Sequence, residues 1–144
     1  MRGEIRNGSR RAEPAIEAAT PHRDQVRDHT SLVAWQQANA VVHLAFRATR
    51  YHWKPWAATI FEQLQRSALS VQLNIAEGYG RKSSGPFRNH LEIAYGSAQE
   101  TVDLLRLLEN EEVVPPDLAG EAIAHCIRSQ KLIRGLLRRL GPRQ

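Results

Sequence analysis

An all-α fold, an antiparallel up-and-down bundle of four helices, is what this sequence predicts, and three observations predict it. Apolar residues recur at three- and four-residue spacings through four separate stretches. The breaks between those stretches are short and carry glycine, proline or clustered charge. No stretch alternates with period two for long enough to compete as a strand. At 144 residues the chain is most simply one domain with a sizeable core.

Residues 1–29 mix charges of both signs with Gly, Pro, Ser and Thr and hold few large apolar groups. Such a segment buries too little surface to offset its ordering entropy, so it is expected to be a flexible extension with at most a short helix around Pro14–Ala19. The bundle domain then spans residues 30–144. In its first helix Leu32, Trp35, Ala38, Val42, Ala45 and Phe46 form one stripe, which fades near Thr49. Pro55, in "RYHWKPW", is placed to open the second helix, which is expected to run to about Glu77 on a spine of Ile60, Leu64, Ala68, Val71 and Ile75. Gly78 or Gly80 is expected to end it in the left-handed conformation. The third helix is expected to start near Pro86 and carries Phe87, Leu91, Ala94, Ala98, Val102, Leu105 and Leu108. After "NEEVVPPDLAG", Asp117 is the expected N-cap of a fourth helix striped by Leu118, Ala122, Cys126, Ile133, Leu136, Leu137 and Leu140.

Around Ala68–Ala76 the second helix is apolar over more than half its circumference, and the third places Tyr95 beside Ile93. A helix apolar on two faces buries both, which predicts a homo-oligomer. The net charge of +5 favours anionic partners, nucleic acid above all. The lone Cys126 excludes an internal disulfide framework. No apolar run reaches the ~18 residues of a membrane span, and residues near Met1 lack the apolar centre of a secretory signal, so a cytoplasmic protein without membrane contact is expected.

Catalytic chemistry finds little purchase. Glu121 and His125 stand at i, i+4, but di-iron bundles use inward Glu-x-x-His pairs, and the other histidines share no ligand spacing, so no metal or other cofactor is expected. Cys126 lies on an apolar stripe, where a small buried hydrophobe is expected rather than a nucleophile. "EGYGRKSS" lacks the G-x-x-x-x-G-K-[ST] pattern and follows a helix rather than a strand, so it is no phosphate loop. The sequence therefore points away from an enzyme.

Two basic features remain. The fourth helix ends in "RSQKLIRGLLRRLGPRQ", where Arg128, Lys131, Arg134, Arg138, Arg139 and Arg143 occur without an acid. They can complement the helix dipole or form a phosphate-contacting ridge. In "RYHWKPW", Arg50, His52 and Lys54 alternate with Tyr51, Trp53 and Trp56; these rings can stack on bases or plug an end of the bundle.

The stretch "SALSVQLNIAEGYGRKSSGPFRNHLEIAYGSAQE", residues 67–100, closely resembles the signature of the four-helix-bundle family encoded by 23S ribosomal RNA intervening sequences. "LVAWQQANAVV" is similar to that family's first helix, so the likeness covers about residues 31–140. The resemblance implies a bacterial, non-catalytic antiparallel bundle, with homopentamers among its relatives. The family is similar to the accessory variability proteins of diversity-generating retroelements, basic pentamers that bind nucleic acid and a reverse transcriptase. Asn74, Glu77, Gly78, Gly80, Arg81, Ser83, Gly96, Ser97 and Glu100 occupy its motif positions.

Physical chemistry suggests a task for each motif residue. Glu77 at a helix end needs a compensating partner, either Arg81 or the amides opening the third helix. Asn74 is expected to bond the turn's backbone, Ser83 to cap the third helix, and Gly96 and Ser97 to allow close approach of a neighbour. Family members commonly carry Glu where Pro86 stands here, so the capping box is lost and a shifted helix start is expected. Arg81 and Lys82 are left to meet an anion. Three functions follow: a nucleic-acid-binding oligomer contacting RNA or DNA through the fourth helix and the Arg81–Lys82 corner, an accessory subunit gripping a partner such as a reverse transcriptase, or a structural oligomer.

Overall fold

The structure, a computed structural model, describes residues 28–81 and 84–142. The expectations for residues 1–27, for Lys82, Ser83 and Arg143, and for a helix around Pro14–Ala19 therefore lie outside the described residues. Four helices make up the fold: α1 (Val33–His52), α2 (Ala58–Arg81), α3 (Ser84–Asn110) and α4 (Pro116–Leu140). A 3-10 turn, His29–Ser31, precedes α1, with Asp28 Oδ1 accepting from the Thr30 amide at 2.8 Å. A second, Pro55–Ala57, leads into α2 with Pro55 at its first position. Among the described residues no strand occurs.

Side-chain pairs run in opposite senses along neighbouring helices, which makes the bundle antiparallel. Ser67 meets Thr101, Ser70 meets Ser97 and Asn74 meets His90 between α2 and α3. Between α3 and α4, Gln99 meets Gln130 and Arg88 meets Gly141. Ala34 with Ser129 and Gln37 with His125 join α1 to α4. One end of the bundle thus holds the start of α1, the end of α2, the start of α3 and the end of α4.

The core divides in two. Phe61, Leu64, Leu105, Leu108 and Val114 centre the half near the α3–α4 turn. Ile75, Leu91 and Ile133, with Ala34, Ala38, Ala94 and Ala98, fill the other half. Ser67, Thr101, Ser129 and Gln130, the buried polar side chains, sit between the two. Thr101 donates to Ser67 Oγ (2.8 Å), Ser67 to the Leu64 carbonyl and Ser129 to the Ala34 carbonyl (3.1 Å). Among the described residues no buried side-chain polar atom lacks a partner. A satisfied polar layer avoids the desolvation penalty and favours one register over a slipped one.

Several sequence expectations need correction. Phe46 does not join the first stripe; it is 45% exposed, and Val41, Leu44 and Ala48 are buried instead. The helix turns through 100° per residue, and the buried arc passes on the other side of Phe46. α1 continues to His52, α2 to Arg81, and neither Gly78 nor Gly80 turns the chain: both are helical, and positive φ occurs among the described residues only at Glu112 and Gly141. α3 begins at Ser84, near Pro86 as expected, and the proline is tolerated as the third residue because first-turn amides have no intrahelical partner. Asp117 is not the N-cap of α4; Pro115 holds that place, Pro116 opens the helix, and Asp117 lies in the first turn, where its charge favours the dipole.

Candidate functional site

The motif of residues 67–100 folds into the seam between α2 and α3. Asn74 Nδ2 donates back to the Ser70 carbonyl at 2.8 Å and approaches Ser70 Oγ at 3.2 Å. That leaves its Oδ1 facing His90 Nδ1 at 2.9 Å, so the ring carries its proton on Nδ1. Asn74 therefore ties the two helices together rather than bonding a turn, because α2 has not yet ended at its level. Ser70 and Ser97 share a hydrogen bond at 2.7 Å, and Gln63 donates to Glu100.

Gly78 explains the closeness of this seam. A Cβ there would stand 2.8 Å from His90 Cβ and 2.9 Å from Phe87 Cδ2. The glycine is a contact point between helices, not a chain reversal. Gly80 and Gly96 have no atom within 4 Å of an added Cβ and face outward, so Gly96 does not tighten any contact inside the protomer, whereas Ser97 does.

Glu77 finds the partner expected of it. Arg81 Nη2 lies 2.9 Å from Glu77 Oε1, and His90 Nε2 lies 3.8 Å from the same oxygen. The Arg81 hydrogen bond, aided by the charge of His90, holds the Glu77 carboxyl below its ordinary value of 4.5. A depressed carboxylate stabilises the fold above that value and loses its contribution as pH falls through the lowered one. Glu77→Gln should therefore unfold at slightly lower urea than the parent near neutral pH, and the difference should shrink as pH falls below the ordinary carboxylate value of 4.5. Because it is paired, Arg81 is not free in the sense the sequence suggested, although an exposed pair of this kind opens at little cost.

The basic residues of α4 form a second constellation. Ala119, Ala122, Cys126, Ser129 and Ile133 define its buried arc, and Arg128, Lys131, Arg134, Arg138 and Arg139 are exposed on the opposite arc. Among the described residues none of the five is in an ion pair. Arg134 is held over the Tyr95 ring, 5.3 Å from its centroid, and donates to the Tyr95 hydroxyl. Arg81 ends α2 at this same end of the bundle, but among the described residues α2 makes no contact with α4, so the fold does not join Arg81 to the α4 group.

Sequence reasoning passed over Arg88. Its Nη2 donates to the Leu137 carbonyl at 3.3 Å and to that of Gly141, satisfying groups the end of α4 leaves open. No local signal could have found it, because its partners lie 49 and 53 residues away. His90 was equally silent. The polar layer was more accessible, since Ser129 and Gln130 fall three and four residues after Cys126 on an apolar stripe.

Tyr51, Trp53 and Trp56 are 67%, 49% and 69% exposed, so they do not plug the far end. Tyr51, His52 and Lys54 instead border an open cleft shared with Glu109, Glu112 and the Pro115–Pro116 pair. Cys126 is buried and its thiol is pushed up to about 12 by loss of solvent, which leaves it unreactive as a nucleophile. His125 is engaged with Gln37 at 2.6 Å, and among the described residues no group of three or more metal-ligating side chains converges. No helix among them is long and apolar enough to cross a membrane.

A family model described as 23S rRNA-intervening sequence protein matches residues 30–135. Among solved structures, the chain is similar to a protein of unknown function from the S23 ribosomal protein family of Bacteroides thetaiotaomicron VPI-5482. The two share 22% identity at a TM-score of 0.59, over 74% of this chain and 98% of the other. That likeness extends to the fold. No curated protein matches the chain.

Proposed function

The chain belongs to the 23S rRNA-intervening sequence protein family, and within that family we propose that it is a non-catalytic, homo-oligomeric bundle that binds RNA or DNA through the basic arc of α4. The observation that carries this reading is the placement of Arg128, Lys131, Arg134, Arg138 and Arg139. All five are exposed opposite the core, and no acidic residue interrupts the run from 128 to 140. Two of them, Arg138 and Arg139, also favour the dipole at the helix end, but that function does not require the three that precede the last turn. Contacts of this type go to phosphate, so binding is expected to be steep in salt and indifferent to sequence.

Assembly rests on the outer surface of the α2–α3 hairpin. Leu73 and Ile93 are 58% and 52% exposed, and Gly80 and Gly96 open there without a reason inside the protomer. A helical glycine costs about 1 kcal/mol relative to alanine, and close approach by a second copy accounts for it. A ring of five copies, as the resemblance implies, would place the basic arcs around one assembly.

The direct test is a filter-binding titration of the full chain with RNA and with DNA at two salt concentrations, beside light scattering of the free protein. Retention at low salt that collapses on raising salt supports the reading; micromolar protein retaining neither refutes it. A mass near that of one chain removes the oligomer. The exposed aromatic corner supports a second reading, a subunit that docks a protein partner such as a reverse transcriptase. There the acids Glu109 and Glu112 line the same cleft as Tyr51 and would repel a polyanion. A complex that survives high salt would favour it.

A further inference from the structure

Alongside the basic arc lies a cleft of about 340 Å³ between the start of α1 and the last turns of α4. Its walls are mostly apolar: Leu32 and Val33 on one side, Leu132 and Leu136 on the other. Val33 is a large apolar group left 48% exposed. Lys131 and Arg139 border the cleft eight residues apart on α4, about 12 Å along the helix axis. Midway between them is Gly135, also on its lining.

Gly135 is the informative residue. It sits inside a helix, where glycine is unfavourable, and a Cβ there would meet nothing within 4 Å. Packing inside the protomer gives no reason for it. What its missing side chain does is leave open the floor between two cations. A cleft of this size is at the small end of the ~300–1,000 Å³ range of small-molecule sites. That volume suits one ring-sized group and is far below that of a duplex segment.

We propose that this cleft receives an unpaired base of a single-stranded nucleic acid, with Lys131 and Arg139 meeting the phosphates on either side. The inference rests on the nucleic-acid reading above and narrows it to single strands. The base lies on the leucine side chains, the backbone tracks the exposed arc, and Arg128, Arg134 and Arg138 hold the strand beyond the cleft. A duplex keeps its bases stacked and reaches the arc with phosphate contacts only.

The experiment uses the full chain and fluorescence anisotropy with a labelled twelve-nucleotide oligouridylate and a twelve-base-pair RNA duplex. Proteins tested are the parent, Gly135→Ala and Gly135→Leu. Both substitutions raise helix propensity at an open position, so thermal melts should not fall. The parent is expected to prefer the single strand about tenfold, the scale of covering roughly 50–60 Å² of a base's face with apolar side chains. Gly135→Leu, which fills the floor, should bring single-strand affinity down to the duplex level while duplex affinity and salt slope stay unchanged. Gly135→Ala should keep most of the preference.

Equal binding of strand and duplex by the parent, or an unaltered preference in Gly135→Leu, overturns the cleft proposal and leaves the basic arc standing. Absence of any binding at low salt defeats the wider reading and this one with it. Laurate that binds the parent but not Gly135→Leu, with strand binding unaffected by the substitution, would assign the cleft to an anionic amphiphile instead and overturn the proposal.

Discussion

Replacing Arg134, Arg138 and Arg139 together by glutamate is expected to lower RNA affinity at low salt by about a hundredfold or more, and to flatten the salt dependence by about two to three log units per log unit. Each of the three is exposed and is in no ion pair among the described residues, so its charge is available to phosphate. Reversal does more than delete contacts, because it adds three repelling carboxylates to the same arc. Two of the positions lie in the last turn of α4, where acids oppose the dipole at a cost of about 0.3–1 kcal/mol each. The glutamine triple variant separates these effects: it should lose the salt slope to a similar degree with little change in unfolding. Undiminished binding by both variants would exclude this arc as the interface and place the nucleic-acid contacts elsewhere on the protein.

The second large effect is on stability. Gly78→Ala is expected to destabilise the protein by about 1–3 kcal/mol, and Gly78→Leu by more, read as a lowered urea midpoint. In most helices glycine to alanine is favourable by about 1 kcal/mol. Here the new methyl would meet His90 Cβ at 2.8 Å and Phe87 Cδ2 at 2.9 Å. The phenyl ring can rotate aside, but a Cβ atom moves only with its backbone, so α3 itself must shift. Retreat of α3 would also stretch the Asn74–His90 hydrogen bond one turn away. Gly80→Ala and Gly96→Ala are the matched controls: with nothing within 4 Å they should leave the protomer unharmed or slightly stabilised. A Gly78→Ala protein as stable as its parent would show that the seam has room to relax.

These two predictions differ in how far they could be read before the fold was known. The basic run of α4 was legible, because its helical register follows from the apolar stripe of Ala122, Cys126 and Ile133, and charges off that stripe must face outward. The function of Gly78 was not. A glycine two residues before another glycine and a basic pair reads locally as a helix stop, and only the crossing helix shows that it is a contact. Phe46 failed for a related reason. Several arcs of α1 are apolar, and which of them is buried depends on where α2 and α4 lie.

What this sequence determined by itself is the number of helices, their approximate spans and the greater part of the core. Each is a local matter: a 3.6-residue period must place its apolar residues on one arc whatever that arc meets, and proline or glycine-rich breaks interrupt it. The tertiary structure alone decided which ends adjoin. It set Arg88 on the carbonyls of α4, closed His90 over Gly78, and opened an apolar cleft between Lys131 and Arg139. Those relations join residues from different helices, and a helix's own periodicity holds no information about the distance to a side chain on another.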